Sequence, residues 1–349
     1  MAIALSVLIS FFIVLLATPS FIKVAEIKNL FDEPGEARKL HKHRIPSMGG
    51  IMIFAGTLFS FMICYPSEDI GYIKYLIPSL LVMFFIGIKD DIIGTAAVKK
   101  LIGHLMVAFI MVLMAEIKIT SLYGIFDVRE LPDWASITLS IFTFVVIINA
   151  FNIIDGVDGL AGGVGCIAST AFGIWFLLIG STVDAIISFA LAGALLGFLR
   201  FNFHPAKIFM GDSGSLIVGL ILCVLAIRLI EFDADAIPRN MMKISKRIFA
   251  MSVLVYPLLD TFRIFIYRIL KGTSPFAADN NHIHHRLIKL GLNHAQAVLL
   301  IYFFNIAVIL YSVLVQDLST SWTFISLAGI VFVLMGILFV VPIKRDSIN

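Results

Sequence analysis

Runs of apolar residues long enough to cross a bilayer recur along almost the whole chain, broken by short polar stretches. A spanning helix needs roughly 17–25 mostly apolar residues. That rule picks out about eleven segments, near 3–22, 48–65, 73–89, 101–117, 135–151, 162–180, 183–199, 214–230, 248–267, 296–315 and 321–342. The pattern predicts an all-α polytopic membrane protein, with residues 1–349 forming a single integral-membrane domain. The segments at 101–117 and 183–199 are the shortest, and 214–230 ends at Arg228. The first segment lacks the basic leader and the cleavage site of a signal peptide and reads as a retained helix. No internal repeat or low-complexity tract interrupts the series.

Composition agrees with a lipid-facing exterior. Of 349 residues 60% are apolar and 14% charged, against ~45–50% and ~25% in ordinary soluble domains, and mean hydropathy is +1.02. A disordered chain, a coiled coil, a disulfide scaffold and an ordinary soluble enzyme are excluded. The net charge of +3 is too small to argue for nucleic acid as a partner. Cys64, Cys166 and Cys223 lie far apart in apolar runs and read as small core residues.

Orientation follows from Lys and Arg in alternate loops. With the N-terminus outside, seventeen fall on the inner side and eight on the outer, with Arg263 inside a span. This predicts an outer N-terminus and a cytoplasmic C-terminus. The basic run MMKISKR (241–247) falls on the outer side and reads as an interfacial amphipathic segment. All eight histidines sort to the inner side, together with Asp90, Asp91, Asp155, Asp158 and Asp212. Chemistry is therefore expected on cytoplasmic loops.

Four polar clusters carry that expectation. GIKDDIIG places Asp90 and Asp91 at a helix end where acids oppose the helix dipole, so the pair needs a cation, either a metal or one of Lys89, Lys99 and Lys100. NAFNIIDGVDGLAGG spaces Asn149, Asn152, Asp155 and Asp158 by three, a row of oxygen donors suited to a hard cation; Asx turns beside glycine are the plain alternative. FNFHPAKIFMGDSGSL sets Asp212 between glycines ahead of a span, where backbone N–H groups can approach phosphate or a simple N-cap can form. Its GDSG string resembles a serine-protease nucleophile but has no triad around it. DNNHIHHRL gathers His282, His284, His285 and Arg286, a set better suited to phosphoryl oxygens than to zinc. Within the ninth span Asp260 and Arg263 stand at i,i+3, able to pair and to face the bundle interior. Carboxylates on three inner loops with a His/Arg loop describe a Mg²⁺-assisted phosphoryl site, and so many spans imply a membrane-bound acceptor.

RKLHKHRIPSMGG, GIKDDIIG, NAFNIIDGVDGLAGG, FNFHPAKIFMGDSGSL, PLLDTFRIFIYRILKGTSPF and DNNHIHHRL occur in the order seen in the polyprenyl-phosphate N-acetylhexosamine-1-phosphate transferases, which this chain resembles over residues 38–290. The resemblance implies that undecaprenyl phosphate attacks the β-phosphorus of a UDP-N-acetylhexosamine and releases UMP. It implies Mg²⁺, with Mn²⁺ as a substitute, and a multi-pass bacterial inner-membrane enzyme that contacts membrane lipids; an oligomer is left open. Asp90 would orient or deprotonate the lipid phosphate, with Asp91 beside it. Asp212 and Asn152 would hold the metal. Asp155 and Asp158 would serve the nucleotide side, Asp158 as a partner for uracil. Asn149, Lys39 and His41 would line the substrate, and His282, His284, His285 and Arg286 its diphosphate or sugar. The His-x-His-His form resembles the branch that uses UDP-N-acetylglucosamine to initiate surface glycans such as O-antigen and teichoic acid. The phospho-N-acetylmuramoyl-pentapeptide transferases of peptidoglycan synthesis are the alternative within the class, and a lipid or solute transporter is the alternative outside it.

Overall fold

The computed structural model describes residues 1–28, 45–66, 70–125, 128–233, 235–239, 241–272 and 282–340. Lys39 and His41 lie outside them. Each of the eleven apolar segments is helical. In chain order the helices are α1 (Ala2–Ile27), α2 (Gly50–Cys64), α3 (Ile73–Ile93), α4 (Ala97–Phe109, closed by a π turn at Ile110–Met114), α5 (Asp133–Ile154), α6 (Leu160–Leu178), α7 (Thr182–Asn202), α8 (Asp212–Ile230), α9 (Lys246–Val253), α10 (Val255–Leu270), α11 (Ile283–Lys289), α12 (His294–Leu314) and α13 (Thr320–Val340).

Among the described residues seven single helices are long and apolar enough to cross a membrane, and eight if the bent pair α9–α10 is one span. The chain is thus a polytopic helical membrane protein. Two of the remaining expected spans differ from the seven for visible reasons: α2 has only 15 residues, and α3 carries Lys74, Lys89, Asp90 and Asp91 near its ends. An all-α chain was expected, yet a short antiparallel hairpin, β1 (Ser121–Ile125) and β2 (Val128–Glu130), joins α4 to α5.

α8 is apolar all round and is the central post; every residue from Ser213 to Ile227 is buried, as expected of a helix surrounded by others. α2, α3, α5, α6, α7 and α9 pack around it. On the outside, α1 lies along α7 and α2. Small residues set these approaches, because van der Waals fit rather than water exclusion drives helix association in lipid. A Cβ on Gly193 would lie 2.3 Å from Ser10 Oγ, and one on Gly50 would lie 2.1 Å from the Gly214 nitrogen.

The basic run at 241–247 is not a surface amphipathic segment throughout. Lys246 opens α9, is 7% exposed and donates to the Phe232 carbonyl, while Lys243 pairs with Asp317 at 2.7 Å. α9 then meets α10 at a 70° bend.

Polar side chains collect at the two ends of the bundle. At the end opposite the candidate site, Asp184 is fully buried at the start of α7. It accepts from Tyr72 at 2.6 Å, Ser181 at 2.7 Å and Arg228 at 3.2 and 2.8 Å. The Arg228 guanidinium also stacks over the Tyr72 ring at 4.6 Å. This network ties α7 and α8 to the residue that opens α3.

Candidate active site

The other end is assembled from the C-terminal ends of α3, α5 and α7 and the N-terminal ends of α4 and α8. Asp91, in the last turn of α3, faces a helix dipole that disfavours it. The structure satisfies it across helices: the backbone N–H groups of Asp212 and Ser213 donate to its carboxylate at 2.7 and 3.1 Å. Asp91 is therefore a cap for α8, where negative charge is favoured. Gly211 makes the approach feasible. Its φ is +71°, and a Cβ there would meet the Ser47 carbonyl and both Asp91 oxygens. The segment 46–50 pairs with 209–210 through Phe209 N to Pro46 O, Gly49 N to Phe209 O and Gly50 N to Met210 O, which fixes the start of α8 against α2.

Asp90 points the other way. Lys100 Nζ, from α4, sits between Asp90 Oδ2 at 2.7 Å and Asp212 Oδ2 at 2.5 Å. Of the three lysines expected near the acid pair, helical phase selects this one. Asn152 donates to Asp212 Oδ1 at 2.8 Å and to Ser215 Oγ at 3.0 Å. One turn back, Asn149 Nδ2 faces His104 Nδ1 at 3.2 Å and also donates to the Val145 carbonyl, so Asn149 is engaged with α4 and its own helix. Asp155 caps α5. Burial first, then the negative charges of Asp212 and Asp91, push its carboxyl well above the usual carboxylate range.

Asp158 lies deeper. It is 1% exposed, and its Oδ2 accepts from His204 Nδ1 at 2.8 Å and from the Ala206 backbone N–H at 3.0 Å. In this geometry it braces the loop after α7. Asn202 does the same from the other side, accepting from Gly159 N and donating to the Ile208 carbonyl. Tyr302 of α12 donates to the Gly159 carbonyl.

The His loop opens on α11. His282 Nδ1 reaches Asp260 Oδ2 at 2.7 Å, and Ile283 N donates to Asp260 Oδ1 at 2.9 Å. Arg263 pairs with the same carboxylate as expected, Nη2 to Oδ1 at 3.7 Å. Arg286 turns toward α13, donating to the Leu338 and Phe339 carbonyls at 3.3 and 3.1 Å. His284 is 1% exposed; burial, then His285, pushes its imidazole down to about 3. The His285 imidazole is lowered as well, mainly by burial.

The donor set fits a hard divalent cation. Asp90 Oδ2 and Asp212 Oδ2 already share one positive charge, and Asp90 Oδ1 is buried without a hydrogen-bond partner. Among the described residues no three His, Cys, Asp or Glu side chains form a ready-made shell. That is ordinary for Mg²⁺, which uses one or two carboxylates and completes its shell with water and substrate phosphate.

Sequence reasoning passed over Lys100 as the particular cation, and over His204, Asn202 and Tyr302 as site-bracing groups. The string FNFHPAK carried His204 and Asn202; nothing local marked Tyr302.

The fold and site define a polytopic helical membrane protein whose acidic groups and one bridging lysine meet at one end of the bundle. The glycosyl transferase family 4 model matches residues 73–230, which spans α3 to α8 and the whole acid cluster. The decaprenyl-phosphate N-acetylglucosaminephosphotransferase of Mycolicibacterium smegmatis is 36% identical over 288 residues, covering 76% of this chain and 70% of that protein. The undecaprenyl-phosphate alpha-N-acetylglucosaminyl 1-phosphate transferase of Escherichia coli strain K12 is 32% identical over 293 residues, 80% of this chain and 74% of that protein. The protein of that name from Yersinia pestis is 29% identical over 323 residues, 90% and 85%. The chain belongs to glycosyl transferase family 4, among the polyprenyl-phosphate N-acetylglucosaminyl-1-phosphate transferases.

Proposed function

We propose that this protein transfers N-acetylglucosamine 1-phosphate from UDP-N-acetylglucosamine to a polyprenyl phosphate, releasing UMP and starting a lipid-linked surface glycan. The observation that carries this reading is the Asp90–Lys100–Asp212 bridge, flanked by Asn152 and Asp91, at the end of a bundle whose relatives are named for that transfer. An oxygen of the lipid phosphate bonds to the β-phosphorus as the bond to the UMP oxygen breaks. One phosphoanhydride replaces another, so the step is near balance and reversible.

Asp90, with one oxygen on Lys100 and one unpartnered, is the group placed to orient the lipid phosphate. Lys100 offsets one of the two negative charges of Asp90 and Asp212, which eases the approach of an anionic substrate. Asp212 and Asn152, with Asp90 beside them, would hold Mg²⁺, or Mn²⁺ in its place; when bound the ion offsets charge on the diphosphate. Asp91 holds the start of α8, and with it Asp212, in register. Asp155 faces the same space from α5 and serves the nucleotide side. Positioning and charge compensation suffice for such a transfer, which favours direct displacement over an aspartyl-phosphate.

In this reading the site faces the cytoplasm, the chain crosses a bacterial inner membrane about eleven times with its N-terminus outside, and residues 1–349 act as one unit. A transporter would place its charges on broken helices near mid-bilayer; here Asp90, Asp91, Asp155 and Asp212 lie at helix ends, and away from the ends of the one bent pair found among the described residues only Asp260 and Arg263 are charged.

Incubating the purified protein with labelled UDP-N-acetylglucosamine, undecaprenyl phosphate and Mg²⁺ tests the proposal. Lipid-linked product and UMP are expected, both lost in Asp90→Asn and Asp212→Asn. No product from any UDP-N-acetylhexosamine refutes it, and product only from the UDP-muramoyl pentapeptide moves the protein to the peptidoglycan branch.

A further inference from the structure

Asn305 stands where a membrane helix has little use for an amide. On α12 the buried positions Val298, Ile301, Asn305, Val308 and Ser312 form one stripe, and Asn305 is fully buried at its centre. An amide in such a place costs free energy unless its N–H groups are used. Its Nδ2 donates to the Val253 carbonyl at 3.4 Å, and its Oδ1 has no hydrogen-bond partner among the described residues. The side chain is therefore kept for what it donates.

Val253 is the last residue of α9, and its carbonyl lacks a helical partner for a reason visible in the sequence. In a continuous helix it would accept from the residue four positions on, which is Pro257. Proline has no N–H, and its ring crowds that same carbonyl. Here α9 and α10 meet at 70°, a sharp kink of the kind proline causes. Asn305 supplies from another helix the hydrogen bond that Pro257 removes.

The bend decides where α10 goes. α9 packs along α12, whereas α10 packs along α5, the helix that carries Asn152 at the acid cluster and is capped by Asp155. On α10, Asp260 holds the start of α11 through His282 Nδ1 at 2.7 Å and Ile283 N at 2.9 Å. Tyr302, three residues before Asn305 and so on the same face of α12, donates to the Gly159 carbonyl next to Asp158. One face of α12 thus grips both the bend and the loop that follows α5.

We propose that Asn305 is a positioning residue: by donating to the Val253 carbonyl it fixes the α9–α10 bend, and with it the place of α10 and Asp260 against α5. Its effect on rate rests on the transferase reading above; its effect on the bend does not. Asp260 lies about 9 Å beyond Leu254 at about 1.5 Å per residue, so a relaxation of about 10° would move it by about 1.5 Å. Misplacement on that scale costs ~10²-fold in rate. The same relaxation would carry the far end of α10, a helix of 16 residues, through about 4 Å.

Asn305→Leu is the test, because it keeps the volume of the side chain and removes the donor. Spin labels at Ile269 on α10 and Leu310 on α12, both exposed, report the bend in full-length protein whose Cys64, Cys166 and Cys223 are replaced by alanine. In Asn305→Leu the label distance is expected to shift by about 4 Å, and transfer per folded molecule to fall about 10–100-fold. Pro257→Ala lets α10 make the missing bond itself and should move the labels the same way; adding Asn305→Leu to it should then cost little more in either readout. An unchanged label distance in Asn305→Leu, a lower unfolding midpoint with rate per folded molecule retained, or independent losses in the double variant would each overturn the proposal. If the unsubstituted protein forms no lipid-linked product, the transferase reading fails, while the label distances still decide whether Asn305 sets the bend.

Discussion

Replacing Gly87 by alanine should disable the protein from a position that carries no chemistry. Gly87 lies on α3 one turn before Asp91, where the chain passes the start of α8. A Cβ there would fall 2.4 Å from Ser213 Cα, 2.5 Å from Ser213 N and 2.7 Å from the Asp212 carbonyl carbon. Ordinary contact begins at 3.4 Å, and every atom met is backbone, so no rotamer change relieves the overlap. The helices must separate by about 1 Å. The Asp91 bonds to Asp212 N and Ser213 N, now 2.7 and 3.1 Å, would stretch beyond hydrogen-bond range. Two charge-assisted bonds at about 1.5–3 kcal/mol each give a destabilisation of about 3–6 kcal/mol. Asp212 would also leave Lys100 and Asn152, and a displacement of ~1 Å costs ~10²-fold in rate. The assay is product formation per folded protein, with unfolding midpoints measured in the same detergent. Gly329→Ala, in α13 with nothing within 4 Å of its Cβ, is the control and should match the unsubstituted protein. If Gly87→Ala keeps its full rate and midpoint, the close packing of α3 on α8 does not set the site.

Three further outcomes follow from the same contacts. Asp184→Ala removes a fully buried acid with three partner side chains at the opposite end, leaving Arg228 unpaired; a loss of about 3–5 kcal/mol is expected, read as a lower unfolding midpoint with rate per folded molecule retained, and an unchanged midpoint would refute the account. Lys100→Met leaves Asp90 and Asp212 facing each other, so its midpoint should fall at least about 2 kcal/mol and recover on adding millimolar Mg²⁺ far more than the unsubstituted protein does; equal responses to Mg²⁺ would remove these acids from the metal site. His284 predicts acid sensitivity: near neutral pH neither the folded nor the unfolded chain protonates it, but as pH falls from ~6.5 toward 3 only the unfolded chain takes up the proton, costing about 1.4 kcal/mol per pH unit. His284→Leu should therefore flatten the fall in midpoint between about pH 7 and 5, and an unaltered slope contradicts the burial argument.

Helix positions were legible because bilayer thickness writes them as long apolar runs, and all eleven runs are helical. The side chains that meet at the site were legible as residue types at loop boundaries, since the acids and amides could not be placed in lipid. Partners were not. Asp260 offers Arg263 as its sequence neighbour at i,i+3, yet its short bonds go to residues 22 and 23 positions away, a choice made by how α11 folds back on α10. Asp91 poses a dipole conflict in sequence whose answer, two N–H groups more than 120 residues away, exists only once α3 and α8 are packed. Arg286 reads as a phosphate ligand beside three histidines, and its bonds to the α13 carbonyls could not be read from sequence. The β1–β2 hairpin was hidden in a loop whose short strands carry no long-range pattern.

The two polar knots on α3 and α8 also have a mechanical meaning. Tyr72 is held through Asp184 to Arg228 at one end, and Asp91 is held to Asp212 and Ser213 at the other, so the two helices form a beam clamped at both supports. A slide or tilt that admits substrate would have to break one clamp. The 70° elbow between α9 and α10 lies outside that beam, so neither clamp constrains the bent pair directly.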